Sequence, residues 1–191
     1  MNVNREAKAA VRSEVRGRLK DLEAAERVAA SRRAQELLKH QAVWKKAQAV
    51  LFYAPAGEEL DVWPLLKEAV TAGKRAFLPR FDPGSGVYVA GEVSEAREHL
   101  RTGQFGVLEP TADRPQIPLN RLDLVLAPGV AFDLHGRRLG RGKGYYDRLL
   151  AAVRGKTCGV AFDEQIVAEI PVEPHDILVN CLLTPTRWIE L

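Results

Sequence analysis

Between Arg138 and Asp147 the chain reads Arg-Leu-Gly-Arg-Gly-Lys-Gly-Tyr-Tyr-Asp, and no other stretch restricts the fold as much. Glycines at 140, 142 and 144 alternate with cations at 141 and 143, and Arg138 stands just ahead. Glycine frees the backbone to turn N–H groups toward a bound group. Residues 148–153 then read as a helix, with Asp147 in its first turn. A glycine loop feeding a helix N-terminus collects unpaired N–H groups and a positive dipole end at one spot, which suits an anion. Arg138, Arg141 and Lys143 add full charge, so the expected ligand carries phosphate. A carboxylate such as Asp147 beside phosphates points to a metal ion between them, most often magnesium. Neither common phosphate loop fits. A Walker loop needs Ser or Thr where Gly144 follows Lys143, and a dinucleotide fingerprint needs glycine where Tyr145 stands. The plain alternative is a basic surface turn ending in a capped helix, which would crowd three cations with no anion to balance them.

The surroundings of this loop alternate strand and helix. Ala49–Tyr53, Ala76–Pro79, Leu122–Ala127, Thr157–Phe162 and Leu178–Leu183 are short apolar runs that read as buried strands. Residues 62–70 read as a helix, and 92–100 as a weaker one. Asp82–Gly86 is a turn, so Val87–Ala90 should pair back as a hairpin. Residues 110–118 hold three prolines and read as a connecting loop, and Asp133–Gly136 as a turn. His135 in that turn reads as a solvated side chain rather than a catalytic one. Residues 5–39 form one long helix, or two with a bend near Asp21, with Val11, Val15, Leu19 and Leu22 at helical spacing. These elements predict a single α/β domain over residues 1–191, three-layered, with a mostly parallel central sheet and a long N-terminal helix.

Composition excludes several classes. The chain has 191 residues, of which 46% are hydrophobic, enough to fill a substantial core. No apolar run is long enough to cross a membrane. Met1–Glu6 leads into a charged helix rather than an apolar leader, and Cys158 and Cys181 lack zinc spacing. Two reduced thiols in a cytoplasmic protein is therefore the expectation. Residues 1–48 carry a charge of +6 and the remainder −3. That basic quarter leaves a nucleic-acid partner as a rival reading, but few aromatics interleave its cations, and no nucleic-acid or membrane partner is expected. Arg5, Lys8, Arg12 and Arg16 form a stripe on the first helix, which composition alone assigns to a solvated face. Glu58, Glu59 and Asp61 follow the first strand, where they suit either a ligand at a strand's carboxyl end or the start of the next helix.

The stretch Asp123–Asp133, Asp-Leu-Val-Leu-Ala-Pro-Gly-Val-Ala-Phe-Asp, followed by the glycine loop through Asp147, resembles the 5-formyltetrahydrofolate cyclo-ligases, also called methenyltetrahydrofolate synthetases. Weaker matches run along nearly the whole chain. The resemblance implies an ATP site from Lys8, Ala9, Ala10, Val11 and Arg12 together with Arg138, Leu139, Gly140, Arg141, Gly142, Lys143, Gly144, Tyr145 and Tyr146. It implies folate contacts from Ala54, Glu59 and Phe105, shared with Arg141, Gly142, Lys143, Gly144 and Tyr145. Glu59 would accept hydrogen bonds from the amino-pyrimidinone edge of the pterin, and Phe105 would stack on the ring. Arg141, Lys143 and Tyr145 would be catalytic, and Asp147 and Asp176 would hold Mg2+. Val62 stands where the family carries Thr, and Asn180 where it often carries Asp. These departures leave open a relative that binds ATP but acts on another substrate or has lost activity. The implied reaction is ATP-dependent cyclisation of 5-formyltetrahydrofolate to 5,10-methenyltetrahydrofolate, with ADP and phosphate released. No residue set resembles a nucleophile triad, so no covalent enzyme intermediate is expected, and the protein is expected to act as a monomer.

Overall fold

A computed structural model describes residues 3–94, 97–103, 106–174 and 176–191. The N-terminal segment is two helices, α1 (Val3–Lys20) and α2 (Ala24–Lys39). The break has a local cause. The Arg27 guanidinium donates to the carbonyls of Leu19 and Leu22, so a cation closes the end of α1 where the chain turns. Val15 and Leu19 are buried beneath α1, while Val11 and Leu22 pack at the margin. A short helix α3 (Ala42–Lys46) leads into strand β1 (Ala49–Leu51). Helix α4 (Trp63–Thr71) follows, with proline in its first turn where no N–H partner is lost.

Strands β2 (Arg75–Asp82) and β3 (Val87–Val93) form the expected hairpin. Here the structure corrects the expected helix over 92–100. Glu92 and Val93 belong to β3, and only Arg97–His99 makes a single 3₁₀ turn. Arg75 holds Glu92 by two hydrogen bonds of 2.9 and 2.8 Å across the strand pair, a contact a helix would forfeit. Strands β4 (Leu100–Thr102) and β5 (Leu108–Pro110) pair with each other. Strand β6 (Gln116–Ile117) adds to β3, so the proline-rich segment is not all loop. Next come β7 (Leu124–Pro128), the small ribbon β8 (Ala131–Phe132) and β9 (Arg138–Leu139), and helix α5 (Tyr145–Ala151). The chain ends with β10 (Lys156–Val160), β11 (Cys181–Leu183) and an antiparallel edge strand β12 (Trp188–Glu190).

The main sheet runs β12-β11-β10-β7-β1-β2-β3-β6. Its central pairs β11–β10, β10–β7, β7–β1 and β1–β2 are parallel, and antiparallel strands finish both edges. Helices cover both faces. Leu124 and Leu126 share one core with Leu38 of α2 and Leu65 of α4. Val125 and Ala127, alternating with them, share another with Leu149 and Leu150 of α5. The expected α/β layering and long N-terminal helix are therefore present. From β1 the chain moves first toward β2 and β3, then returns to place β7 on β1's other side. The crevice at such a reversal, outside the carboxyl ends of the strands, is where open α/β sheets take ligands.

Two carboxylates set the strands that carry the site. Asp123 accepts the N–H groups of Gln48 and Ala49 at 2.8 Å each, locking the start of β7 to β1. Asp133, fully buried, accepts from the N–H groups of His135, Arg137 and Ile170 and so closes the β8–β9 turn that delivers the glycine loop. Cys158 and Cys181 are buried neighbours across β10 and β11 and are not linked. The packing is tight at Gly159, where a Cβ would lie 2.5 Å from Phe132 and 2.7 Å from Leu182. Gly159→Ala is expected to destabilise the fold by about 1–3 kcal/mol, read as a lower urea midpoint with an unchanged slope.

Candidate active site

A cavity of about 800 Å³ opens at the carboxyl ends of β1 and β7. Tyr53 and Ala54 after β1, and Pro128 at the end of β7 with Gly129 just beyond it, form part of its floor. Its walls join segments far apart in sequence: α1, the loop after β1, the glycine loop, the β2–β3 hairpin, β5 and the segment carrying Glu173 and Asp176.

From α1, Lys8 and Arg12 face the cavity, and Arg5 joins them. Arg16, the fourth cation of the stripe, is not in the lining, and neither are Ala9, Ala10 and Val11. Ala9 and Ala10 are exposed on the outer side, while Val11 packs against the core. Lys8 is buried and donates to both Glu173 and Asp176 at 2.8 Å. Burial alone would lower its pKa, but the hydrogen bonds to Asp176 and Glu173 outweigh it and the net shift is upward. Arg12 Nε donates to the Gly140 carbonyl at 2.9 Å, so α1 holds the first glycine of the loop directly.

Within the loop, Gly142 and Gly144 have φ of 97° and 64°. Those left-handed values explain why glycine recurs at alternate positions. Helix α5 has only seven residues, so charge in this wall comes mainly from side chains. The loop's cations do different work. Arg138 is buried, bonds Asp147 at 2.8 Å and lies 5.4 Å from the centre of the Tyr146 ring. Leu139, also expected at the nucleotide, lines the cavity although its side chain is 2% exposed. Arg141 reaches across to Glu59 at 2.7 Å and to the Ala56 carbonyl at 3.1 Å. Lys143, Gly144, Tyr145 and Tyr146 line the cavity alongside Gly140 and Gly142. Burial raises the pKa of Tyr146 and of Tyr53, whose hydroxyl donates to the Leu60 carbonyl, so both stay protonated at neutral pH.

Burial also raises the pKa of Glu59, opposed by the Ala56 N–H and by Arg141. Of its neighbours in sequence, Glu58 lies 3.9 Å from Arg27 and Asp61 accepts the Trp63 N–H at the start of α4, so neither belongs to the cavity wall. Phe105 lies outside the described residues. Val62 is buried and away from the cavity. The Asn180 side-chain oxygen accepts from Thr157 N–H and hydroxyl, tying β11's approach to β10. His135 sits in the exposed turn after Asp133, outside the lining.

The sequence reading did not single out Tyr53, Pro79, Tyr88, Glu109 or Glu173, all of which line the cavity. Glu109 stands four residues past Phe105 and Glu173 three before Asp176, both positions that the resemblance had named. Tyr88 has no such signal; it joins the site because the hairpin brings its ring 5.6 Å from that of Tyr145.

The assembled wall therefore offers a cationic, glycine-lined side for a polyanion and an aromatic side for a flat ring. Residues 4–185 match the model of the 5-formyltetrahydrofolate cyclo-ligase family. The chain belongs to that family. Among cyclo-ligases similar to it, the 5-formyltetrahydrofolate cyclo-ligase of Escherichia coli K12 is 36% identical over 148 residues, covering 75% of this chain and 81% of the relative. That of Mus musculus is 30% identical over 189 residues, covering 93% of each. The solved 5,10-methenyltetrahydrofolate synthetase of Aquifex aeolicus superposes with a TM-score of 0.86 at 35% identity, over 96% of this chain and 92% of the other. The Mycoplasma pneumoniae synthetase shares the cyclo-ligase fold at a TM-score of 0.74 and 19% identity, over 93% of this chain and 98% of the other.

Proposed function

We propose that this cyclo-ligase family member converts 5-formyltetrahydrofolate to 5,10-methenyltetrahydrofolate at the expense of ATP, releasing ADP and phosphate. The observation that carries the reading is one cavity that combines the glycine loop, the α1 cations and carboxylates from several segments with an aromatic wall. A formamide oxygen is a poor leaving group. Transfer of the γ-phosphoryl group to that oxygen makes it a good one. The nitrogen at position 10 then attacks the formyl carbon, the C–O bond breaks, phosphate departs, and the nitrogen's proton is lost to solvent. Phosphoryl transfer calls for positioning and charge neutralisation more than for a covalent catalyst. Arg12 and Lys143 supply charge at the loop, and the loop's N–H groups approach the phosphates. Arg141 spans from the loop to Glu59, so it stands between nucleotide and folate, and Tyr145 faces the folate side.

Asp147 and Asp176 both reach the cavity. Among the described residues no cluster of three or more His, Cys, Asp or Glu forms a protein-only metal site. Two carboxylates completed by phosphate oxygens and water fit the octahedral preference of magnesium, which commonly takes one or two carboxylates. When bound with ATP, the ion would neutralise phosphate charge. Lys8 pairs with Asp176 and Arg138 with Asp147, so each of the two carboxylates has a cation beside it.

The test is to mix the protein with 5-formyltetrahydrofolate, magnesium and ATP and follow the near-ultraviolet absorbance of the methenyl product. ATP-dependent appearance supports the reading. Intact ATP binding with no product, and turnover of another formylated amine, would move the assignment to a relative with an altered substrate.

A further inference from the structure

Asn4, Lys8 and Arg12 recur every four residues of α1, which puts them on one face of the helix. Each meets a different partner. Asn4 donates to the Val172 carbonyl at 3.3 Å, and Arg12 to the Gly140 carbonyl at 2.9 Å. The helix thus bridges the segment that carries Glu173 and Asp176 and the glycine loop, with Lys8 midway. The Lys8 side chain is 11% exposed and ends in two ion pairs of 2.8 Å, one to Glu173 and one to Asp176. An ammonium has three donors on a flexible four-carbon stem. It can change partners by rotating that stem while Asn4 and Arg12 keep α1 in place.

Asp176 does not depend on Lys8 for its orientation. The same Oδ2 that takes the ammonium also accepts the Glu173 N–H at 2.8 Å, and the Asp176 N–H returns to the Glu173 carbonyl at 3.0 Å. The turn therefore holds its carboxylate through its own backbone. The other carboxylate proposed for the metal is set differently. Asp147 meets Arg138, whose guanidinium is also fixed by the Tyr146 ring, 5.4 Å from its centre, and by the Pro128 carbonyl at 3.4 Å. Of these two cations, Lys8 is the one with freedom to withdraw. A dication brought to Asp176 would meet the ammonium on the same carboxylate, in a wall with little solvent to weaken the repulsion. A polyphosphate relieves the conflict, because it offers the ammonium other anionic oxygens.

We propose that Lys8 fills the cation place at Asp176 in the nucleotide-free chain and passes to the phosphates when metal and nucleotide arrive together, so that the site refuses a divalent cation on its own. This exchange rests on the ATP reading above. It makes Lys8 a gate on the order of loading as well as a ligand of the nucleotide.

The experiment uses Mn2+ in place of magnesium, because its paramagnetic resonance signal counts free and bound ion directly. Its affinity for the nucleotide-free protein is measured that way. The affinity of the Mn2+ complex of a non-hydrolysable ATP analogue is measured by calorimetry. Lys8→Met is expected to tighten binding of Mn2+ alone about 10- to 100-fold, the repelling charge being gone. The same variant should bind the metal–nucleotide complex about 10-fold more weakly, for want of a charged donor. The opposite signs are the mark of exchange, since a lysine that only supports the wall would weaken both. Lys8→Arg keeps the charge and should again refuse the metal alone. The double variant, Lys8→Met with Glu173→Gln, should keep the tightened binding, because Asp176 is the carboxylate uncovered. Loss of the tightening there would put the ion on Glu173 and overturn the proposal. Lys8→Gln, whose amide can donate to both carboxylates, takes the place of Lys8→Met should that variant fold poorly. Affinity for Mn2+ alone that is unchanged or lower in the neutral variant also overturns the exchange. If the unaltered protein binds no nucleotide at all, the ATP reading falls and takes the exchange with it; nucleotide binding intact, with metal affinity indifferent to Lys8, removes only the exchange.

Discussion

Asp147→Asn is expected to lower kcat about 10²- to 10³-fold, the loss associated with removing one group that stabilises transition-state charge, and to destabilise the fold as well. The second effect follows from Arg138. Its side chain is 3% exposed, and its Nη2 lies 2.8 Å from the Asp147 carboxylate. Removing one member of a buried pair costs about 3–5 kcal/mol because the other charge is left uncompensated. Asparagine keeps an acceptor oxygen, and Arg138 also stacks on Tyr146, so the lower end of that range applies. Urea unfolding and steady-state kinetics measure the two effects separately. Adding Arg138→Met to Asp147→Asn should recover part of the stability, since the stranded charge is gone, without recovering turnover. If turnover of Asp147→Asn instead stays within tenfold of normal while stability drops, Asp147 is only the counter-ion of Arg138 and has no part in the chemistry.

That double role could not be read from the sequence. Arg138 stands in a run of glycines and cations, and spacing alone groups it with Arg141 and Lys143 as phosphate ligands. Its burial depends on β9 pairing with β8, a ribbon too short for periodicity to reveal. The same holds across the site. Lys8 and Arg12 sit four apart, so a shared face was legible, but the pairing of Lys8 with Glu173 and Asp176 joins residues more than 160 positions apart. Buried central strands were visible because each is an unbroken apolar run. The edge elements β6 and β12 were not, because a two- or three-residue strand carries no pattern of its own. The expected helix over 92–100 failed for a related reason: Glu92 looks like helix surface until Arg75 is placed across from it. The resemblance pointed to Glu59 and to Phe105 and passed over Glu109, which stands four residues past Phe105. What separates the two carboxylates is that one is met by Arg141 and the other is not, and that is a property of the fold.

A second large effect is expected of Lys143→Met, because this side chain is exposed on the glycine loop. Arg138 is tied to Asp147, Arg141 to Glu59, Lys8 to Asp176 and Glu173, and Arg12 to the Gly140 carbonyl. Replacing any of these disturbs the wall as well as the ligand. Lys143 is exposed, between Gly142 and Gly144 whose left-handed backbone turns the loop at that point. Methionine keeps most of the stem and removes the charge, so stability should change by less than about 0.5 kcal/mol. In the proposed reaction negative charge spreads over the transferring phosphoryl group, and a cation held at the cavity rim acts mainly on that state. The expected pattern is a fall of about 10²–10³ in kcat with a smaller rise in the KM for ATP. A rise in KM with kcat intact would mean that Lys143 binds ground state and transition state equally, and the catalytic charge would then have to come from Arg12 or Arg141. Single-turnover measurement of ADP formation separates the cases, because it reports phosphoryl transfer before product release can mask it.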